Sequence, residues 1–381
     1  MKKVICNMKK VLHISNYYTP HIGGIESTCQ YLAEGLKGEY DVRVICFSED
    51  NHTKYEETNG IKIIKPAVIL NIARQGLSLN YYFKLRKILK DWKPDIIHIH
   101  YPNPFVTALL LPLISKKCKL YVHWHLDITK QKNIYPFIKP FETALLKRAD
   151  MIGCTSPLYR DSSTPLVPFL DKVEILQSAV DTTRFQLSKE DELKVKALKE
   201  KYGNKKIVFY VGRHVPHKGP GILVEAEKLI KNDCVVLIGG SGPITQEIKE
   251  ACSSKRVHFV GRIPNELMKI YYHAADIFAF PSYTKAEAFG LTLCEAMYCY
   301  AVPVTFHIEG SGVNWVCINN ETGIEVPNLD VNKYAEAIDK LLQNSELLHE
   351  MAIAGHNRVI ENFSVNEEVK LLKNQYDRLL K

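Results

Sequence analysis

Long apolar runs are missing from this chain. The best of them, Phe105 to Ile114, is about half of the roughly 20 residues that a membrane-spanning helix needs, and Pro112 interrupts it. A spanning helix is therefore not expected. The basic start, Met1 to Lys10, has no long apolar stretch behind it, so a secretory signal is not expected either. The ten cysteines form no CxxC pair and no Cys/His group with zinc spacing. Cys46, Cys154, Cys234 and Cys294 fall within apolar strand-like or helix-like patterns, which reads as reduced, buried thiols in a cytoplasmic protein. The spaced G-x-G-x-x-G fingerprint is absent, which argues against a dinucleotide dehydrogenase. No DxD-type acidic pair stands at a strand end to hold a metal.

What is present is a length of 381 residues, comfortable for two domains, and a net charge of +8. The charge is one-sided: 25 Lys and Arg stand against 16 Asp and Glu up to residue 180, and 25 against 26 beyond it. Lys84, Arg86, Lys87, Lys90, Lys116, Lys117, Lys119, Lys130, Lys132, Lys139, Lys147 and Arg148 carry much of that excess. Such a half suits an anionic lipid surface or a phosphorylated acceptor as well as it suits a merely solvated face. A nucleic-acid partner is not expected.

Strand and helix patterns alternate, twice over. Val11–Ser15, Val42–Phe47, Ile96–His100, Leu120–His123, Ile152–Thr155 and Val173–Leu176 read as strands, with helical periodicity at 26–36 and 104–115. The series restarts at Ile207–Val211 and continues through Cys234–Ile238, Val257–Val260, Ile277–Phe280 and Val302–Thr305. A charged, helix-prone stretch at 188–203 separates the two. Alternation of this kind predicts parallel sheets with helices on both faces. The expected division is 1–182, 183–363 and a C-terminal helix at 364–381 that packs back on the first domain. Ligands bind outside strand carboxyl ends, so a cleft between two such domains is the expected site.

The most specific segment is Glu287 to Met297, which follows a strand ending in Phe280-Pro281-Ser282 and opens a helix. Gly290 lets backbone approach a ligand, and amides at a helix start hold a diphosphate. Glu287 and Glu295 are eight residues apart, about 12 Å if helical, the scale of a nucleotide sugar. One carboxylate can accept from sugar hydroxyls and the other from ribose. Val211 to Gly219 places Arg213 and Lys218 on a strand-to-helix turn, where two cations can clamp a diphosphate and stabilise it as a leaving group. Gly239-Gly240-Ser241-Gly242 is a further glycine turn. In the first half, Pro20-His21-Ile22-Gly23-Gly24 leaves amides free for a phosphate or an acceptor. Val122 to Ile128 puts His123 and His125 on one face at a strand end, with Asp127 available to orient a histidine or to meet the acceptor.

The Glu, seven residues, Glu spacing, with Ala275 to Ser282 before it and Pro303-Val304 after it, resembles the family 4 glycosyltransferases. The resemblance is strong over 207–327 and moderate over 9–181. It implies α/β architecture of the GT-B type, two doubly wound Rossmann-like domains facing across a cleft. It also implies retaining transfer of a hexose-type sugar from a nucleotide-diphosphate sugar to a glycan or lipid-linked glycan, in surface polysaccharide assembly. No cofactor and no metal is implied, the nucleotide sugar being co-substrate. By resemblance the catalytic residues are His125, Glu287, Arg213 and Lys218. Gly24, Gly240, Arg213, Lys218, Ile263, Glu287, Phe289, Gly290, Leu291 and Glu295 bind the donor, with Glu287 on the sugar and Glu295 on the ribose. Gly23 and Asp127 lie on the acceptor side. The expected location is the cytoplasm, at the inner face of the membrane. The chain departs from the family at Ser178–Asp181 and at Tyr298–Ala301, where a glycine is usual. The first eight residues read as a leader, with Met8 an alternative start. A nucleotide-sugar epimerase of the same build and a non-catalytic scaffold are the rival readings.

Overall fold

A computed structural model describes residues 8–21, 23–72, 75–128 and 133–381. Ile22 of the first glycine loop, Lys130 and Lys132 of the basic set, and the leader up to Asn7 lie outside the described residues. The chain forms two compact units. Unit 1 runs up to Ser178 and takes in Val365–Lys381; unit 2 is Ala179–Ser364. The first crossing thus falls four residues before the expected boundary at 182/183.

Unit 1 is built on ten strands: β1 Lys9–Ile14, β2 Tyr40–Ile45, β3 Lys54–Thr58, β4 Ile61–Lys65, β5 Leu70–Ile72, β6 Gln75–Leu77, β7 Ile96–Tyr101, β8 Lys119–Trp124, β9 Met151–Cys154 and β10 Val173–Ile175. The main sheet has the order β10-β9-β8-β7-β1-β2-β4-β3. All its pairings are parallel except β3 on β4, an antiparallel edge the apolar pattern does not announce because Lys54–Thr58 is largely solvent-facing. Every residue of β7 is buried, as a strand covered on both faces must be. Register aligns His13 with His98, His98 with Tyr121, and His100 with His123, so these rings share one face. Helices Gly24–Gly35 and Val365–Leu380 supply Cys29, Leu32, Val369, Leu372 and Tyr376 to the core there.

Unit 2 holds β11 Ile207–Val211, β12 Val235–Gly239, β13 Val257–Gly261, β14 Ile277–Phe280, β15 Val302–Phe306 and β16 Ile324–Val326, all parallel, in the order β13-β12-β11-β14-β15-β16. Its core joins Phe209, Leu237, Phe278 and Val304 to Leu293 and Met297. Each such side chain contributes about 2 kcal/mol by leaving water. Tyr300, within the stretch Tyr298–Ala301 where the family usually has a glycine, adopts φ +64 and stacks on His356 with ring centroids 4.0 Å apart. The nine described cysteines are free, and all but Cys252 are buried. Among the described residues no helix is long and apolar enough to cross a membrane.

Candidate active site

In unit 2 the chain winds from β11 outward to β12 and β13, then returns to place β14 on the other side of β11. Strand order reverses there, and a ligand site forms at the carboxyl ends flanking such a reversal. The loops at that point, 212–219 and 281–290, meet main chain to main chain. Gly219 has φ +67, and a Cβ on it would lie 2.1 Å from the Pro281 carbonyl oxygen. Gly240 has φ +106, and a Cβ would lie 1.9 Å from the Gly212 oxygen. Only glycine allows both approaches.

This packing brings Lys218 against Glu287, its Nζ ion-paired to Oε2. The Ser282 hydroxyl donates to the same oxygen at 3.3 Å. The peptide of Glu287 is anchored from behind: the Ser311 hydroxyl donates to its carbonyl, and the Gly312 amide donates to Ala288 O at 2.9 Å. Arg213 is exposed, and its guanidinium has no partner among the described residues. Ile263 and Phe289 are buried and Leu291 is half-buried. Gly290, φ +93, caps the helix Leu291–Tyr298. Glu287 therefore precedes the helix instead of lying on it, and the 12 Å helical spacing expected between the two glutamates does not apply. Glu295 is on that helix and accepts from the Tyr272 hydroxyl at 2.8 Å. Burial raises its carboxyl, with the Tyr272 bond and the Arg184 charge pulling the other way. Ser282, Ser311 and Tyr272 had no signal of their own in the sequence, although Ser282 stood beside the motif.

In unit 1 the reversal falls between β1 and β7. Gly23 is extended, caps the helix Gly24–Gly35, and receives Ser27 N on its carbonyl at 2.9 Å. A Cβ on Gly23 would lie 2.1 Å from Glu26 Oε2, so a carboxylate of this chain already covers the helix start. His125 follows β8 and is buried. Its Nε2 lies 2.9 Å from His100 Nδ1, and its ring stacks on His123 with centroids 3.9 Å apart. Asp127 Oδ1 accepts from Trp124 Nε1 at 2.9 Å and from the Ser163 hydroxyl at 2.6 Å. Burial lowers the His125 pKa to about 3, so its imidazole is neutral near pH 7. The sheet also gathers His13, Cys29 and His100, and His98, His100 and His123, each set with ligand atoms within 4.8 Å of one another. Sequence spacing gave no hint of these groups, because cross-strand register creates them.

The chain was then compared with known proteins. The family model described as Glycosyltransferase Family 4 matches residues 22–184, and the one described as Glycosyl transferases group 1 matches 191–358. An O-antigen chain mannosyltransferase of Escherichia coli is 28% identical over 97% of this chain and 99% of its own length. A D-rhamnosyltransferase of Pseudomonas aeruginosa is 27% identical over 90% and 89%. Among solved structures, sucrose-phosphate synthase from Thermosynechococcus elongatus superposes with a TM-score of 0.79 at 20% identity, covering 97% of this chain and 99% of that one. The Anabaena HepE protein in complex with UDP gives 0.78 at 17% identity, covering 97% and 100%.

Proposed function

This chain belongs to the group 1 glycosyltransferases, and from that premise we propose that it moves a manno-configured sugar from a nucleotide-diphosphate donor to a glycan or lipid-linked glycan in surface polysaccharide assembly. The observation that carries this reading is the meeting of the exposed Arg213, the Lys218–Glu287 pair and the Gly290 helix start at the strand-order reversal of unit 2. The similarity to a mannosyltransferase and a D-rhamnosyltransferase supports the sugar class.

In the proposed reaction the diphosphate lies on Arg213, Lys218 and the amides after Gly290, with no metal ion. Charge grows on the departing phosphate, and fixed cations and peptide dipoles stabilise it. Lys218 leaves Glu287 for the phosphate, and that frees the carboxylate to accept from sugar hydroxyls. Glu295 takes the ribose. The bond from the anomeric carbon to phosphate breaks, the acceptor oxygen bonds to that carbon on the same face, and the acceptor proton passes to the leaving phosphate. Gly23 and His125 of unit 1 serve the acceptor side and the sugar. The basic half meets an anionic membrane at its cytoplasmic face, with exposed Phe137, Lys139, Phe141 and Lys147 on helix Tyr135–Arg148 as the contact.

The test is a panel of nucleotide sugars with lipid-linked acceptors in the presence of a chelator, with product configuration read by NMR. Retained configuration from a GDP- or UDP-linked manno sugar is the expected result. Inversion, or turnover abolished by the chelator, overturns the mechanism. Donor isomerisation without transfer makes the chain an epimerase.

A further inference from the structure

We infer that His125 is held as a neutral Nδ1–H donor by a one-directional hydrogen-bond chain, His13 to His100 to His125, which makes His13 and His100 positioning residues. Three rings on three adjacent strands form it. His13 Nδ1 lies 3.1 Å from His100 Nε2, and His100 Nδ1 lies 2.9 Å from His125 Nε2. His13 and His100 are fully buried and His125 is 5% exposed. Burial keeps all three rings uncharged near neutral pH.

A neutral imidazole carries one N–H and one lone pair. His100 has both nitrogens in bonds, so its choice of tautomer sets the whole chain, and only two arrangements exist. If hydrogens point inward from His125, the chain ends with an N–H on His13 Nε2. That atom is buried and has no partner. An orphaned buried donor is among the rarest and costliest defects of a folded protein. If hydrogens point outward, His13 Nε2 keeps a lone pair and no orphan donor exists. The outward direction therefore wins. It leaves all three rings as Nδ1–H tautomers and gives His125 an N–H on the nitrogen that no described residue occupies.

The ring orientation is independent of the reaction; its value to transfer rests on the function proposed above. A fixed neutral donor hydrogen-bonds a sugar hydroxyl without changing charge and cannot serve as a general base. The competing use of the cluster is a metal ion bound by His98, His100 and His123. It would draw lone pairs to itself and break the outward order.

Nitrogen NMR of the full chain, labelled at its histidines and assigned with single variants, reads the tautomers directly. Nδ1–H at His13, His100 and His125 near neutral pH is expected. Nε2–H at His125, a charged ring, or a stoichiometric metal in the purified protein overturns the inference. Two variants then test positioning. In His100→Asn the amide reaches the Nδ1 position facing His125, and in His100→Gln it reaches the Nε2 position facing His13. Both remove a buried imidazole. His100→Asn is expected to retain kcat within a few-fold, and His100→Gln to lose about tenfold in kcat at unchanged donor KM, as one lost hydrogen bond implies. Equal loss in both refutes the positioning role. If no donor supports transfer, the tautomers still decide the orientation, so failure of the proposed function is seen separately.

Discussion

The two units solve the same topological problem with opposite chemistry. Each has a parallel sheet whose strand order reverses at a central strand, β11 in unit 2 and β1 in unit 1. At the reversal unit 2 places glycine loops and charge: Arg213, Lys218 and Glu287 sit at or near the surface. Unit 1 places neutral rings beneath the surface, with His13, His98, His100, His123 and His125 all buried and all held below the usual imidazole range. A site for a diphosphate requires fixed charge that water has not fully screened. A site for sugar hydroxyls requires directed hydrogen bonds and no net charge.

Acid should break the contrast first. The five histidines are neutral when folded, and each takes a proton near pH 6.5 when unfolded. The unfolded chain binds more protons below that pH, so their stabilisation is complete above it and is lost as pH falls toward their depressed folded values. Each ring adds to the loss of stability as pH falls below about 6.5, and a charge on one disfavours a charge on its neighbours. Hydrogen exchange at pH 7.5 and pH 5 should show unit 1 amides losing protection well before unit 2 amides. Equal loss in both units would mean that the rings are not buried neutral.

Next in size is the charge of unit 2. Arg213→Ala or Lys218→Ala should lower kcat by about 10²-fold, the cost of removing one charge-stabilising donor. Lys218→Ala also leaves Glu287 with only Ser282, so its donor binding should fall more than that of Arg213→Ala, as isothermal calorimetry would show. Turnover within twofold of the parent removes either residue from the site.

A smaller effect sharpens the neutrality of unit 1. Both carboxylate oxygens of Glu368 are buried with no partner, and burial raises its pKa well above the usual range. A carboxyl raised in the folded state binds its proton there at a pH where the unfolded chain has released it, so stability falls as pH rises above about 4.5. Glu368→Gln should therefore gain about 1–3 kcal/mol at pH 7 and nothing at pH 4, measured by urea unfolding. A gain independent of pH would show that the Glu368 carboxyl titrates alike in the folded and unfolded states.

Much of this was legible beforehand, for physical reasons. Buried parallel strands such as Ile207–Val211 and Ile277–Phe280 are continuous apolar runs, so the pattern marks them. Glu287, Gly290, Arg213 and Lys218 lie within short segments whose spacing survives folding. The histidine chain was hidden, since β1, β7 and β8 are joined only by register. The helix start at Leu291 depends on the left-handed Gly290, which no spacing rule reveals, so the two glutamates were placed on one helix. Within Tyr298–Ala301, the stretch flagged for lacking a glycine, Tyr300 takes a left-handed backbone, a conformation that costs a side chain about 1–2 kcal/mol, and its ring stacks on His356.

The helix Val365–Leu380 sets the order in which the molecule can mature. The Tyr376 hydroxyl and His98 Nδ1 are hydrogen-bonded at 2.6 Å, and Gln375 accepts from Tyr121 at 2.5 Å. A ribosome delivers those side chains only after all of Ala179–Ser364 has emerged. Unit 2 is contiguous and can complete itself during translation. Unit 1 lacks the side chains that cover this face of its sheet until Val365–Leu380 has been made.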